Sequence, residues 1–307
     1  RSVTPMGRRR KSGLNVHGVI LLDKSSGLSS NGALQDVRRL FNANKAGHTG
    51  SLDPLATGVL PLCLGEATKV CSFLLNTDKR YQATLLLGVT TDSGDTEGKV
   101  LSTSEVPDLS VEEIEHCLSV FKGNISQVPP MYSALKHQGK RLYELAREGK
   151  VVDRKPREVA IHQLDLLSFN SNKLVLDVRC SKGTYIRSLA EDIGRKLGCG
   201  ATISQLRRLA VGHLHLDRCF TIEQLSLFKQ KDELERCLIP ADEILSDWPE
   251  IALDTRQCQS IQNGQPIVLP ANDSQGLVRM YSEDLFVGIG QLIPAGQLIP
   301  KRLFNFN

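Results

Sequence analysis

One stretch of this sequence presents a lone acid in a setting suited to chemistry. Residues 47–60 are Gly-His-Thr-Gly-Ser-Leu-Asp-Pro-Leu-Ala-Thr-Gly-Val-Leu, with Asp53 as their single carboxylate. Pro54 biases Asp53 toward an extended backbone, and the glycines let a ligand approach the main chain. The stretch therefore predicts a rigid loop that presents one acid. Asp-Pro and Gly-Ser also mark ordinary turns, so the pattern alone leaves a purely structural role open.

A basic segment is the second candidate for function. Residues 136–157 contain eight Lys and Arg against three Asp and Glu. Aromatic and apolar side chains interleave with these charges or just precede them: Met131, Tyr132, Leu135, Leu142 and Tyr143. Cations neutralise phosphates, while aromatic side chains and Met grip exposed bases, so the segment indicates RNA binding. The alternative is a solvent-exposed helix over 142–148.

The elements that must position these residues follow from periodicity and capping. Apolar or β-branched runs predict strands at 19–23, 81–89, 159–169, 174–180 and 203–216. Capping residues predict helix starts at Ser29 or Ser30, Ser110 and Thr221. Apolar residues at helical spacing predict a further helix over 185–197. The helix after Ser110 is expected to turn Val111, Ile114, Leu118 and Phe121 inward and to end at Gly123. Strands and helices without βαβ regularity predict an α+β catalytic domain, and short β segments after Pro249 predict a small C-terminal domain.

Composition sets broad limits. The 307 residues, 40% hydrophobic with a net charge of +4, suit one large and one small domain and permit an anionic partner. Eight scattered cysteines without a Cys-x-x-Cys pair favour buried reduced thiols over zinc. No stretch has the apolar length of a membrane span and no signal-peptide pattern occurs, so we expect a cytoplasmic protein without membrane contact.

Three segments resemble one enzyme family. Residues 48–60 resemble the signature loop of the TruB-type tRNA pseudouridine synthases almost letter for letter. Cys180-Ser-Lys-Gly-Thr-Tyr-Ile-Arg187 and Val128-Pro-Pro-Met-Tyr-Ser-Ala-Leu-Lys136 resemble two further motifs of that family. Ser25 departs from it, since the family usually has proline there. The resemblance implies a stand-alone bacterial enzyme that converts the uridine at position 55 of the tRNA TΨC loop to pseudouridine and aids tRNA folding.

The resemblance also implies a domain plan. A basic N-terminal arm would occupy residues 1–15, and a pseudouridine-synthase core, a mixed and mainly antiparallel sheet with flanking helices, residues 16–249. An insertion at 124–157 would close over the RNA like a thumb. Residues 250–307 would form a β-rich, PUA-like RNA-binding domain. We expect a monomer that binds the tRNA T arm and needs neither guide RNA nor a protein partner.

The implied reaction breaks the N1–C1′ bond of uridine and joins C1′ to C5, which requires no metal or other cofactor. Asp53 matches the family nucleophile, which attacks either C1′ or C6. Arg187 is expected to pair with Asp53 in a bidentate fork that lowers the carboxyl pKa.

The target nucleotide must leave the base stack before it can react. Tyr81 matches the tyrosine that packs on the flipped uracil, and Tyr185 and Leu206 match other residues of its pocket. His48 matches the histidine that fills the gap left by the base.

Other matches concern the grip on RNA. Lys24 and Lys69 lie at motif positions with either a structural or a phosphate-facing role. The residues expected to contact RNA from the insertion are Met131, Lys136, Lys140, Arg141, Arg147 and Arg154.

Three other functions would use part of the same pattern of residues. The dyskerin relatives share the aspartate motif but use guide RNA and partner proteins, and the basic insertion with a short C-terminal domain favours the guide-independent type. A non-catalytic RNA-folding factor would keep the grip on tRNA without needing Asp53. A nucleoside hydrolase would use Asp53 on a ribose and release uracil, but it has no need for so extended a basic surface.

Overall fold

The structure is a computed structural model that describes residues 13–270 and 275–306. Most of the predicted N-terminal arm lies outside these residues. The described strands are β1 (Gly18–Lys24), β2 (Ala46–His48), β3 (Thr57–Leu64), β4 (Lys79–Leu87), β5 (Val89–Thr91), β6 (Val100–Thr103), β7 (Gly123–Gln127), β8 (Lys136–His137), β9 (Lys140–Arg141), β10 (Arg157–Asn170), β11 (Lys173–Cys180), β12 (Ala201–Val211), β13 (Leu214–His215), β14 (Glu250–Leu253), β15 (Ile267–Val268), β16 (Gly276–Ser282), β17 (Leu285–Ile293) and β18 (Gln297–Leu303).

The described helices are α1 (Ser30–Leu40), α2 (Cys71–Leu75), α3 (Val111–Ser119), α4 (Leu142–Arg147), α5 (Ile186–Lys196), α6 (Ile222–Gln230) and α7 (Thr255–Gln262). Short 3-10 helices occupy Gly65–Val70, Leu216–Arg218, Leu234–Cys237, Glu243–Leu245 and Pro294–Gly296.

A mixed sheet is the frame of the catalytic region. Its main path runs β1-β3-β12-β4-β11-β10-β7, with β2 on β3 and β13 on β12. All pairs are antiparallel except β3 with β12. The expected fold, a mainly antiparallel sheet with flanking helices, is therefore confirmed. The pairing of β3, β12 and β4 brings the loop before β3 close to the centre of the sheet.

The sheet is held by apolar residues that alternate in sequence. Leu174, Leu176, Val178 and Cys180 of β11 all lie in the main core, as their spacing predicts. In β1, Ile20 and Leu22 join this core, whereas Val19 and Leu21 lie in a second cluster on the other face. The run at 19–22 is apolar throughout because both faces of β1 are covered.

Helix starts agree with the capping residues. Ser29 caps α1, while Ser110 and Thr221 form complete capping boxes on α3 and α6. Two expectations for α3 are wrong. Val111 is exposed, since it is the first helical residue and precedes the face formed by Ile114 and Leu118. The helix ends at Ser119, not at Gly123. Gly123 has a positive φ of 89° and is the first residue of β7.

The predicted insertion begins later than expected. Residues 124–127 belong to β7, which pairs with β10 in the main sheet. The excursion from the sheet, called the thumb below, therefore comprises residues 128–156. It has its own small core, in which Leu142 and Leu145 of α4 pack with Met131.

The C-terminal region forms a five-stranded sheet, in the order β14-β16-β17-β18-β15. The predicted β texture after Pro249 is confirmed, but helix α7 was not predicted. Asp254 and Gln257 form its capping box, which is the local signal that could have located it. Ile289 packs into the second cluster with Val19 and Leu21 of β1, so this domain shares a core with the catalytic sheet.

Among the described residues, the longest apolar helical segments fall short of what is needed to cross a bilayer.

Candidate active site

Asp53 lies in the loop between β2 and β3, and a buried serine fixes the residue before it. Ser30 Oγ donates to Leu52 O at 2.8 Å and accepts from Leu52 N at 2.7 Å. Ser30 and Leu52 are each 5% exposed. One side chain of α1 thus satisfies both main-chain groups of Leu52. This fixes the backbone of the loop directly before Asp53.

Arg208 on β12 holds the two sides of the same loop. Its Nε donates to Val59 O at 2.7 Å, and its Nη2 donates to Gly50 O at 2.9 Å. At Gly58, which has a φ of +101°, a Cβ would lie 2.1 Å from Arg208 O. Only glycine permits this close approach of β3 to β12.

Lys24 supports the loop from β1. Its side chain is buried, and Nζ donates to Ser25 O at 2.8 Å, Leu28 O at 2.6 Å and Pro54 O at 3.2 Å. Burial lowers the pKa of Lys24 to about 8. The nearby charge of Asp53 has the opposite effect and raises this pKa. Its ammonium group donates to three carbonyls, which favours the structural alternative for Lys24.

Arg187, near the start of α5, forms an ion pair with Asp53. Its Nε lies 3.0 Å from Asp53 Oδ2. The expected bidentate fork is wrong, because Nη1 donates to Ser93 O at 2.9 Å and Nη2 to Tyr132 O at 2.7 Å. The guanidinium is 6% exposed and fixed by these carbonyls, so it presents one edge to Asp53.

The pKa of Asp53 is raised, against the expected direction. Desolvation is the largest cause, and Arg187 opposes it by lowering the pKa. Asp95, a buried carboxylate whose Oδ2 lies 4.0 Å from Arg187 Nη1, adds to the rise. The Asp53 side chain is 42% exposed, and it lines both of the cavities described next. Arg187 thus limits a pKa rise that burial would otherwise make larger.

A first cavity of 340 Å³ brings together the residues assigned to uracil binding. Asp53 and Arg187 lie on its wall with Tyr81 of β4, Leu206 of β12 and Tyr185. Burial raises the pKa of both tyrosines, which keeps their hydroxyls neutral. Tyr81 and Leu206 are 9% and 8% exposed, so each is both cavity wall and core.

A second cavity of 600 Å³ lies on the other side of Asp53, beneath the thumb. His48 and the thumb residues Arg141 and Arg147 line it. Burial, and secondly Arg208, lowers the pKa of His48, so the ring is neutral near pH 7. Its Nδ1 is buried without a hydrogen-bond partner in the described part of the chain.

The RNA contacts predicted in the thumb differ in exposure: most of the cations lie at the surface, whereas Met131 is buried. Lys136, Lys140 and Arg147 are exposed, and the Arg147 guanidinium lies 5.5 Å from the centre of the Tyr143 ring. Met131 is 8% exposed in the thumb core, which corrects its assignment to RNA contact.

Two other predicted cations have buried or bonded side-chain nitrogens. The Nε of Arg154 is buried and has no partner among the described residues. Lys69 pairs with Glu66 and donates to Leu303 O at 2.6 Å. It therefore ties the C-terminal strand to the catalytic region, which favours the structural alternative for Lys69.

Sequence reasoning missed Ser30, Asp95 and Arg208. Their bonds to the site join residues 22 to 158 positions apart in the chain, so no local spacing reveals them. Across the described residues, His, Cys, Asp and Glu side chains form no cluster able to hold a metal ion.

Comparisons with known proteins identify the architecture. One matching structure is an H/ACA RNP bound to a substrate RNA containing 2′-deoxyuridine, with a TM-score of 0.73 and 23% identity over 94% of this chain and 85% of the other. Another is a Cbf5-Nop10-Gar1 complex, with a TM-score of 0.72 and 25% identity over 95% and 85%. These likenesses show a shared fold.

Family models match in succession along the chain. The TruB family pseudouridylate synthase N-terminal domain covers residues 38–186, the tRNA pseudouridylate synthase B C-terminal domain 187–246, and the pseudouridine synthase II TruB C-terminal domain 249–304. Fold and sequence together define a pseudouridine synthase.

Curated relatives show which kind of pseudouridine synthase the chain resembles. The tRNA pseudouridine synthase B of Nitrosococcus oceani is 49% identical over 299 residues, 96% of this chain and 97% of the relative. That of Dechloromonas aromatica is 50% identical over 288 residues, 94% and 95% of the two chains. The chain belongs to the TruB family, and its activity is that of a tRNA pseudouridine synthase.

Proposed function

We propose that this enzyme isomerises the uridine at position 55 of the tRNA TΨC loop, with Asp53 as the nucleophile on a flipped-out nucleotide. The observation that carries the proposal is the 3.0 Å ion pair between Arg187 and Asp53 on the wall of an aromatic-lined cavity. A carboxylate held in this way can form a covalent intermediate. The N1–C1′ bond breaks, the uracil rotates, and C5 bonds to C1′. The bond to Asp53 then breaks, which regenerates the carboxylate, while C5 loses its proton and N1 gains one.

The charge state of Asp53 follows from two opposing effects. Desolvation raises the carboxyl pKa and strengthens the nucleophile by removing water, while Arg187 stabilises the ionised form. Arg187 cannot turn away from the loop, because Ser93 O and Tyr132 O hold its terminal nitrogens. Asp53 would therefore meet the nucleotide as an anion of fixed orientation.

The cavity walls support the roles given to the aromatic residues. Tyr81 offers a neutral ring for stacking on a flipped base, and Tyr185 and Leu206 close the other sides. Base stacking on an aromatic ring contributes about 1–3 kcal/mol per base. His48, whose ring is neutral near pH 7, lines the second cavity together with Asp53 and would occupy the gap that the base leaves in the RNA.

The thumb would grip the T arm through Lys136, Lys140, Arg141 and Arg147, with Arg154 at its base. Arg141 and Arg147 lie beside Tyr143 and line the cavity next to Asp53, so phosphate binding there would bring the RNA backbone to the nucleophile. Because this grip is built into the chain, we infer a tRNA enzyme without a guide RNA. The C-terminal sheet would add RNA contacts as a PUA-like domain.

The test is release of tritium from a tRNA transcript labelled at C5 of uridine, with the unmodified enzyme and the variant Asp53→Asn. We expect release of one equivalent from the unmodified enzyme and none from Asp53→Asn, which is isosteric but cannot act as a nucleophile. A transcript with cytidine at position 55 is the control for the site of reaction.

Three results would contradict the proposal. Release by Asp53→Asn at the unmodified rate excludes Asp53 as the nucleophile. Release from the transcript lacking uridine 55 excludes that position as the target. Free uracil in place of pseudouridine would favour a hydrolase. If tRNA refolding persists in Asp53→Asn while modification stops, the folding activity is separate from the chemistry.

A further inference from the structure

Gln127 is a buried amide that the reaction described above does not use. It is the last residue of β7 and 1% exposed. Its Nε2 donates to Tyr185 O at 3.2 Å, and its Oε1 accepts from Tyr185 N at 3.0 Å. Both main-chain groups of Tyr185 therefore contact one side chain that is 58 positions away in the sequence.

This contact lies at the start of α5, where the N-cap residue is of an unusual type. Tyr185 is the N-cap of α5, and its side chain makes no capping hydrogen bond. Ser, Thr, Asp and Asn are preferred at this position because their short side chains satisfy free N–H groups of the first turn. In a capping box, a Gln or Glu at the third helical position bonds the N–H of the N-cap residue. In this protein Gln127, which lies on strand β7 and not in α5, accepts the hydrogen bond from the N–H of the N-cap residue.

Two further bonds join the same segments. Ser188 Oγ donates to Val128 O at 3.0 Å, and Arg187 Nη2 donates to Tyr132 O at 2.7 Å. The end of β7 and the first residues of the thumb are thus bonded to the first turn of α5. That turn carries Tyr185, which lines the uracil cavity, and Arg187, which pairs with Asp53.

We propose that Gln127 is a positioning residue that sets the place of Tyr185 and Arg187 relative to Asp53. A Tyr at the N-cap leaves the start of α5 without local support, so its position depends on the remote amide. The adjacent thumb bonds to the same turn, so the start of α5 links the RNA-gripping segment to the Asp53 ion pair. This inference rests on the proposed roles of Asp53 and Arg187.

The test uses Gln127→Met, which keeps the length of the side chain and its apolar stem but removes both hydrogen bonds. We expect the single-turnover rate to fall about tenfold to hundredfold while the Kd for tRNA changes less than about threefold, since small misplacements of reacting groups reduce rate more than binding. Asp254→Ala is the control for lost stability. It removes the capping box of α7 in the C-terminal domain, away from Asp53.

A second measurement reports on position directly. The chain has five tyrosines, so incorporation of 3-fluorotyrosine gives five fluorine resonances, and Tyr185→Phe assigns the relevant one. We expect Gln127→Met to move the Tyr185 resonance and Asp254→Ala to leave it in place. If Gln127→Met does not fold, Gln127→Glu serves instead, because it keeps the acceptor for Tyr185 N but replaces the donor to Tyr185 O with a second acceptor oxygen, and a lower rate is again expected.

The proposal is overturned if the Gln127 variant reacts at the unmodified rate, or if its resonance does not move. It is also overturned if Asp254→Ala loses rate to the same extent, since the loss would then follow stability alone. The unmodified enzyme serves as the reference for the rate, and Asp53→Asn tests the nucleophile separately. A failure of the Gln127 assignment is therefore distinguishable from a failure of the proposed function.

Discussion

The substitution Ser30→Ala removes one hydroxyl that serves both main-chain groups of Leu52. The hydroxyl oxygen lies 2.8 Å from Leu52 O and 2.7 Å from Leu52 N. Because both residues are 5% exposed, water cannot readily replace either bond. The loop must then either leave two polar groups unpaired or move, and Asp53 is the next residue.

The expected size follows from these two bonds. A buried polar group left without a partner costs about 1–3 kcal/mol, so the two groups freed by Ser30→Ala should lower the free energy of unfolding by about 2–6 kcal/mol. With an unfolding entropy of about 2.1 cal/mol/K per residue, that corresponds to a Tm lower by roughly 3–9 °C. If the loop moves, displacement of Asp53 by about 1 Å would lower the rate about hundredfold.

The assay is single-turnover tritium release with excess enzyme, alongside thermal and denaturant unfolding. Ser29→Ala is the matched control, since Ser29 Oγ accepts from Gly32 N as the cap of α1 and makes no contact with Leu52. Losing that cap should lower stability by about 1 kcal/mol and leave the rate unchanged.

If Ser30→Ala and Ser29→Ala have the same rate and the same stability, Ser30 does not hold the loop that carries Asp53. If Ser30→Ala loses tRNA affinity but reacts normally once bound, the loop serves binding and not the orientation of Asp53.

Two other predictions concern charge. The proposed nucleophile Asp53 acts in its ionised form, and its pKa is raised by burial and lowered by Arg187, so the rate should fall as the pH drops through that raised pKa. Arg187→Gln should move this acidic limb to higher pH, and an unmoved limb in a full pH–rate profile would show that the ion pair does not control the pKa. Arg147→Ala should weaken tRNA binding and reduce the slope of log Kd against log salt by about 1, as expected for one lost phosphate contact. An unchanged slope in filter binding would place Arg147 outside the RNA interface.

Much of the fold could be predicted because its signals are local. The alternation in β11 and the capping residues Ser29, Ser110 and Thr221 each act within a few residues, and they gave strands and helix starts close to those observed. Helix α7 was missed because its residues are mostly polar and it follows β-like sequence, although Asp254 and Gln257 carry a capping pattern.

The site was predicted only where a motif contains the residue itself. Asp53 and Arg187 lie within such motifs, and Tyr81 matches the family's active-site tyrosine directly. Ser30 and Arg208 act on the main chain of a distant loop, so their importance depends on the pairing of β3 with β12 and the packing of α1. The direction of the Asp53 pKa also requires the structure, since sequence shows the neighbouring charge but not how much water is removed.

The double covering of β1 has a consequence for the synthesis of this protein. Val19 and Leu21 are covered by residues that include Ile239 and Ile289, more than two hundred positions later in the chain. Val19 N also bonds to Ile239 O at 2.8 Å. During translation, this strand of consecutive apolar residues therefore leaves the ribosome long before the C-terminal part of its cover exists, a situation that slows folding and favours aggregation. Its second face is covered in full only when the C-terminal sheet, which carries Ile289, has been made.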